Sequence, residues 1–91
     1  MALGMYFTPV TFTPEAYDQV ISRLEGAGAA APPGRLCHVA LDAGGRIQLL
    51  DVWESAEAFQ AFGATLVPIL AELGIDPGEP QVLPVHHLIG C

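Results

Sequence analysis

Lysine and asparagine are absent from this sequence. Without lysine there is no Schiff-base amine and no P-loop ammonium, and without asparagine one common oxyanion donor is missing. Charge of either sign is scarce, at 14% of residues. Basic charge is scarcest: three arginines, Arg23, Arg35 and Arg46, stand against ten acidic residues, a formal net charge of −7. Such a chain repels phosphate backbones and anionic bilayers, so neither nucleic acid nor a membrane is an expected partner. No apolar run approaches the roughly 20 residues that span a bilayer. The N-terminal MALGMYF lacks the basic start and apolar core of a signal peptide, which points to the cytoplasm. Two cysteines, Cys37 and Cys91, are too few and too far apart for a zinc site or a redox motif, and they read as free thiols.

What the chain has instead is apolar surface. Hydrophobic residues make up 52% of its 91 positions, which read as one domain over 1–91. A globule of that size struggles to hide so much of it. Either one face meets another subunit, or a cavity takes an apolar ligand.

The pattern along the chain supplies the elements. LGMYFTPV, residues 3–10, predicts a first strand. Thr13 is a good N-cap, Pro14 suits the first helical position, and Ala16, Tyr17, Val20, Ile21 and Leu24 form an apolar stripe. These predict a helix over about 14–25, stopped by Gly26. GAGAAAPPG, residues 26–34, is a loop. RLCHVALD (35–42) and RIQLLDVWE (46–54) predict an antiparallel hairpin across Gly44-Gly45. Ser55 caps a second helix marked by Phe59, Phe62, Leu66, Leu70 and Leu73. Pro68 is expected to kink or split it, and Gly74 to end it. QVLPVHHLIG, residues 81–90, predicts the last strand, at an edge or bulge because Pro84 has no N–H.

The order β-α-β-β-α-β is the ferredoxin-like arrangement, an α+β fold with a four-stranded antiparallel sheet and both helices on one face. A half-exposed sheet alternates apolar and polar residues. These strands do not: Cys37, Val39 and Leu41 alternate with Leu36, His38 and Ala40. The uncovered face therefore predicts a homodimer through sheet faces.

These residues also resemble a family. The element order, the size and the stretch DVWESAEAF (51–59), with its W-E-S-x-E-A-F motif, are similar to the antibiotic-biosynthesis monooxygenase-like domains of the dimeric α+β barrel superfamily. The resemblance implies a ligand site between helices and sheet, near Trp53. It also implies a range of activities: cofactor-free oxygenation of aromatic polyketides, haem degradation, isomerisation or cyclisation. The haem-degrading branch needs a histidine on the second helix, near Gly63 here, and an asparagine on the first strand, near Thr8; this chain has neither. The quinone-forming branch places tryptophan, asparagine and tyrosine around its substrate: Trp53 matches, the asparagine has no counterpart, and Tyr6 and Tyr17 are candidates for the tyrosine without an aligned position. No cofactor is expected. The implied function is a cofactor-free oxygenase, isomerase or cyclase on a small apolar or aromatic molecule, against a non-catalytic binding or structural dimer.

Few residues are candidates for chemistry. Asp51 is a carboxylate inside an apolar strand, where burial favours proton transfer. Counting back from the Gly44-Gly45 turn sets His38 level with Leu50 or Asp51, so His38–Asp51 is the best proton-handling pair. A one-residue slip would separate their faces. Trp53, Tyr6, Tyr17 and Phe59 are the expected pocket residues, though each also reads as core packing, with the Trp53 N–H bonded to a nearby carbonyl. His86 and His87 are neighbours in a strand and point to opposite faces, so they cannot share a metal. His87 is placed on the interface side and His86 towards the pocket, as a third catalytic candidate. No metal site is expected.

Overall fold

A computed structural model describes all of residues 1–91. Its elements run β1 (Leu3–Phe7), α1 (Pro14–Gly26), β2 (Arg35–Asp42), β3 (Ile47–Trp53), α2 (Ala56–Leu73) and β4 (Gln81–Pro84). The strands form one antiparallel sheet in the order β2-β3-β1-β4. This is the ferredoxin-like α+β fold that the sequence predicts.

Local chemistry sets the boundaries. The Thr13 hydroxyl accepts from the Ala16 N–H, and the Ser55 hydroxyl accepts from the Ala58 N–H. Each satisfies a donor that the first helical turn leaves without a partner. Gly74, at φ 68°, closes α2 in the left-handed conformation. Gly44 and Gly45 both have positive φ and turn the β2–β3 hairpin, whose Gly45 N–H donates to the Asp42 carboxylate. Gly34 also has positive φ, 86°, and is needed for a second reason. A Cβ there would lie 2.5 Å from that of Ala58, so the chain entering β2 packs directly on α2.

Three expectations need correction. Pro68 does not split α2, which runs unbroken through it. Pro68 and Ala64 both lie on the exposed side, so the Ala64 carbonyl that loses its partner faces water. The last strand stops at Pro84 rather than continuing to residue 90. The cysteines are not free: Cys37 and Cys91 form a disulfide. The two corrections are linked, because the chain beyond Pro84 leaves the sheet edge and ends bonded to β2.

Register sorts the strand residues onto two faces. Leu3, Met5 and Phe7 oppose Trp53, Asp51 and Leu49, and His38 opposes Asp51, all towards the helices. There Met5, Phe7, Phe12, Val20, Leu24, Ile47, Trp53, Phe62, Ile69 and Leu70 make the core. Gly4, Tyr6, Cys37, Val39, Leu41, Gln48, Leu50, Val52, Gln81 and Leu83 face the other way, and none of them is charged.

Candidate functional site

Between the helices and the inner sheet face lies a cavity of about 250 Å³. Its walls are mostly apolar. Phe7 and Leu49 come from the sheet, Val20 and Leu24 from α1, and Phe59 and Leu66 from α2. The α2–β4 loop adds Ile75, Pro77 and Pro80. A small space with apolar walls and a few convergent polar groups is the usual form of a small-molecule site.

The polar groups converge in one chain of hydrogen bonds. His38 Nδ1 is 2.5 Å from Asp51 Oδ1, and His38 Nε2 is 2.7 Å from the Tyr17 hydroxyl. An ionised carboxylate only accepts, so Nδ1 carries the proton and donates to Asp51. In the neutral ring Nε2 is then the acceptor, and Tyr17 donates to it. The Tyr17 and His38 rings are nearly parallel, 8° apart, with their centroids 6.0 Å from each other. Asp51 is buried and has the imidazole as its side-chain partner. Burial pushes the Tyr17 phenol above its ordinary pKa; the nearby Arg35 guanidinium pulls it down, and the charges of Asp51 and Asp18 add to the rise. Tyr17 is thus held as the neutral phenol at neutral pH.

Arg35 supplies the cation at this wall. Its guanidinium sits 5.8 Å from the Phe62 ring centroid, and its Nη2 donates to the Ala30 carbonyl at 2.9 Å. Strand alternation alone would put Arg35, three residues before His38, on the opposite face. A bulge between Arg35 and Cys37 turns it inward, opposite Trp53. Sequence reasoning misses Arg35 for that reason. The only hint is the Pro-Pro-Gly entry to β2, which makes irregular pairing more expected there.

Of the residues expected at the site, His38, Asp51, Tyr17 and Phe59 line the cavity. Three do not. Trp53 is fully buried behind the wall, edge-on to Phe59 at 5.6 Å and tilted against Phe62 at 5.4 Å. It shapes the cavity by holding two of its aromatic walls. Its indole N–H has no hydrogen-bond partner, contrary to the expected carbonyl. Tyr6 points to the outer face, where its hydroxyl donates to Gln48 at 2.6 Å, because register sets it opposite Leu50. His86 is exposed in the segment after β4, since the strand ends before it. His87 is exposed beside it.

No family model matches the sequence, and no curated protein does. Solved structures do match. SnoaB of Streptomyces nogalater, described as a cofactor-independent oxygenase, superposes with a TM-score of 0.63 at 20% identity, covering 97% of this chain and 94% of that one. A Chloroflexus aurantiacus J-10-fl protein assigned as an antibiotic biosynthesis monooxygenase gives 0.58 at 25% identity, covering 98% and 97%. The ActVA-Orf6 monooxygenase of Streptomyces coelicolor, solved with nanaomycin D, gives 0.51 at 16% identity, covering 99% and 91%. The chain therefore has the fold of the antibiotic-biosynthesis monooxygenase-like proteins, the family that its W-E-S-x-E-A-F stretch resembles.

Proposed function

We propose that this chain is an enzyme that deprotonates a small hydroxylated aromatic molecule in the helix–sheet cavity and delivers the resulting anion to dioxygen without a cofactor. The observation that carries this reading is the Tyr17–His38–Asp51 chain on an otherwise apolar wall. Both imidazole nitrogens are already engaged, so His38 does not meet the substrate directly. Tyr17 does. Its oxygen accepts the substrate proton while its own proton passes to His38 Nε2. Asp51 then stabilises the imidazolium, as a buried carboxylate orients and steadies a base elsewhere. Arg35 is the cation that would face the new negative charge. A substrate CH₂ oxidised to a carbonyl consumes one dioxygen and releases one water, so the balance needs no external reductant. SnoaB's description as a cofactor-independent oxygenase supports the same direction.

The test is oxygen uptake with a tricyclic phenol carrying an acidic CH₂, followed with its visible absorbance. The expected result is turnover that falls about 10²-fold or more in Tyr17→Phe and His38→Ala, with binding of the phenol retained. Turnover unchanged in both variants would overturn the relay. Binding without any turnover in the unmodified protein would favour a non-catalytic carrier.

The same reading takes the functional unit to be a homodimer with sheets face to face. Its support is the outer face. Tyr6, Val39, Leu41 and Leu50 are 36–44% exposed there, and none of the chain's ten acidic residues lies on that face of the strands.

A further inference from the structure

The segment after β4 takes an unusual path. β4 and β2 are opposite edges of the sheet, three strand spacings apart, or about 14 Å. Residues 85–91 reach about 21 Å fully extended, and Cys91 ends on Cys37 of β2. That reach crosses the outer sheet face but cannot circle the helices. The crossing follows one transverse row. Leu83 pairs with Gly4, Gly4 with Val52, and Val52 with Cys37. At Gly4 a Cβ would lie 3.9 Å from Val85 Cγ2, so the tail passes directly over this glycine. Val52, although it faces outward, is 6% exposed. The rows beyond, through Tyr6, Leu50 and Val39, stay open.

Little except the disulfide holds this strap. Its last hydrogen bond is the Val85 N–H to the Ala2 carbonyl, and none involves residues 86–91. Leu88 and Ile89 stay exposed, Ile89 at 81%, so the strap gains little from packing.

We propose that the tail is a removable cover, and that reduction of Cys37–Cys91 hands the outer sheet face to a second copy of this chain. Two sheets packed face to face lie about 10 Å apart, a gap that their interlocking side chains fill. A backbone segment does not fit in that gap, so the fastened strap and a close sheet-to-sheet dimer exclude each other. The second copy is the fitting occupant because the chain carries −7 overall and the strands present no charge on this face. An uncharged apolar face adds no local charge–charge repulsion to the approach of two like-charged copies, and a two-fold axis makes it self-complementary. Chemically, a dithiol reductant gives two electrons and two protons; the S–S bond breaks to two thiols and the reductant closes its own disulfide. In a reducing cytoplasm the cover is released.

This inference rests on the homodimer reading, and the experiment separates the two. Mass is measured by light scattering behind a sizing column, with and without dithiothreitol, for the unmodified protein, Cys91→Ser and Leu50→Asp. Emission from the single tryptophan, Trp53, checks that each form is folded. The expected result is a monomer near 9.6 kDa when oxidised. Reduction or Cys91→Ser should then tighten dimerisation about tenfold or more. Leu50→Asp should stay monomeric under reduction. A dimer of equal affinity in both redox states overturns the strap as a cover and leaves the dimer standing. A monomer in both states overturns both. Two thiols that alkylate without prior reduction in air-equilibrated protein overturn the fastener.

Discussion

The two faces of the sheet are built from the same four strands and differ in almost everything else. The inner face is covered by helices, holds the core, and sets the half-buried His38 against the buried Asp51 beside a cavity. The outer face carries comparable apolar residues, but only a seven-residue strap crosses it, and most of that face stays open. Apolar composition alone does not say which face becomes a core. What decides is the register, which gives one face to α1 and α2 and leaves the other for a cover or a partner.

The difference predicts very unequal responses to truncation. Trp53→Ala removes a fully buried ring that supports Phe59 and Phe62, and should cost about 3–5 kcal/mol in urea unfolding followed by far-ultraviolet circular dichroism. Leu50→Ala on the outer face should cost about 0.5 kcal/mol or less in the oxidised protein. Equal costs would mean that the outer face is packed in solution, and the contrast between faces would fail.

Next in size is the strap. The disulfide joins residues 54 apart in sequence, so Cys91→Ser releases a long loop in the unfolded chain and should lower stability by about 2–4 kcal/mol. Oxidised protein that unfolds at the same urea concentration with and without dithiothreitol would show that the bond constrains nothing.

The smallest effect sharpens the inner face. The phenol of Tyr17 titrates higher in the folded protein than in the unfolded chain, where it titrates at about 10. Its contribution is therefore complete below that pH. As pH rises above it, the unfolded chain releases a proton that the native state keeps, and stability falls through the folded value. Tyr17→Phe should flatten that alkaline decline. A decline unchanged in the variant would place its origin elsewhere.

The sequence carried the elements because their signals are local. Thr13 and Ser55 cap where their hydroxyls find an N–H three residues on, and Gly44-Gly45 turns where both residues need positive φ. Counting back from that turn narrowed the partner of His38 to Leu50 or Asp51, and the pairing in the sheet selects Asp51. Tyr17 lies on the expected helical stripe, but its meeting with His38 depends on how α1 packs across the sheet. Arg35 reached the cavity through a bulge that alternation does not reveal. His86 and Tyr6 missed it because the strand stopped at Pro84 and because parity turned Tyr6 outward.

By itself, then, the sequence determined the element order, the β2–β3 hairpin and an excess of apolar surface. These follow from dihedral preferences, caps and side-chain period. Only the tertiary structure decided that Trp53 sits behind the cavity wall, that Tyr17 joins the histidine, and that the chain's end returns to Cys37 across the sheet. Those outcomes depend on contacts between residues far apart in the chain, which no local preference encodes.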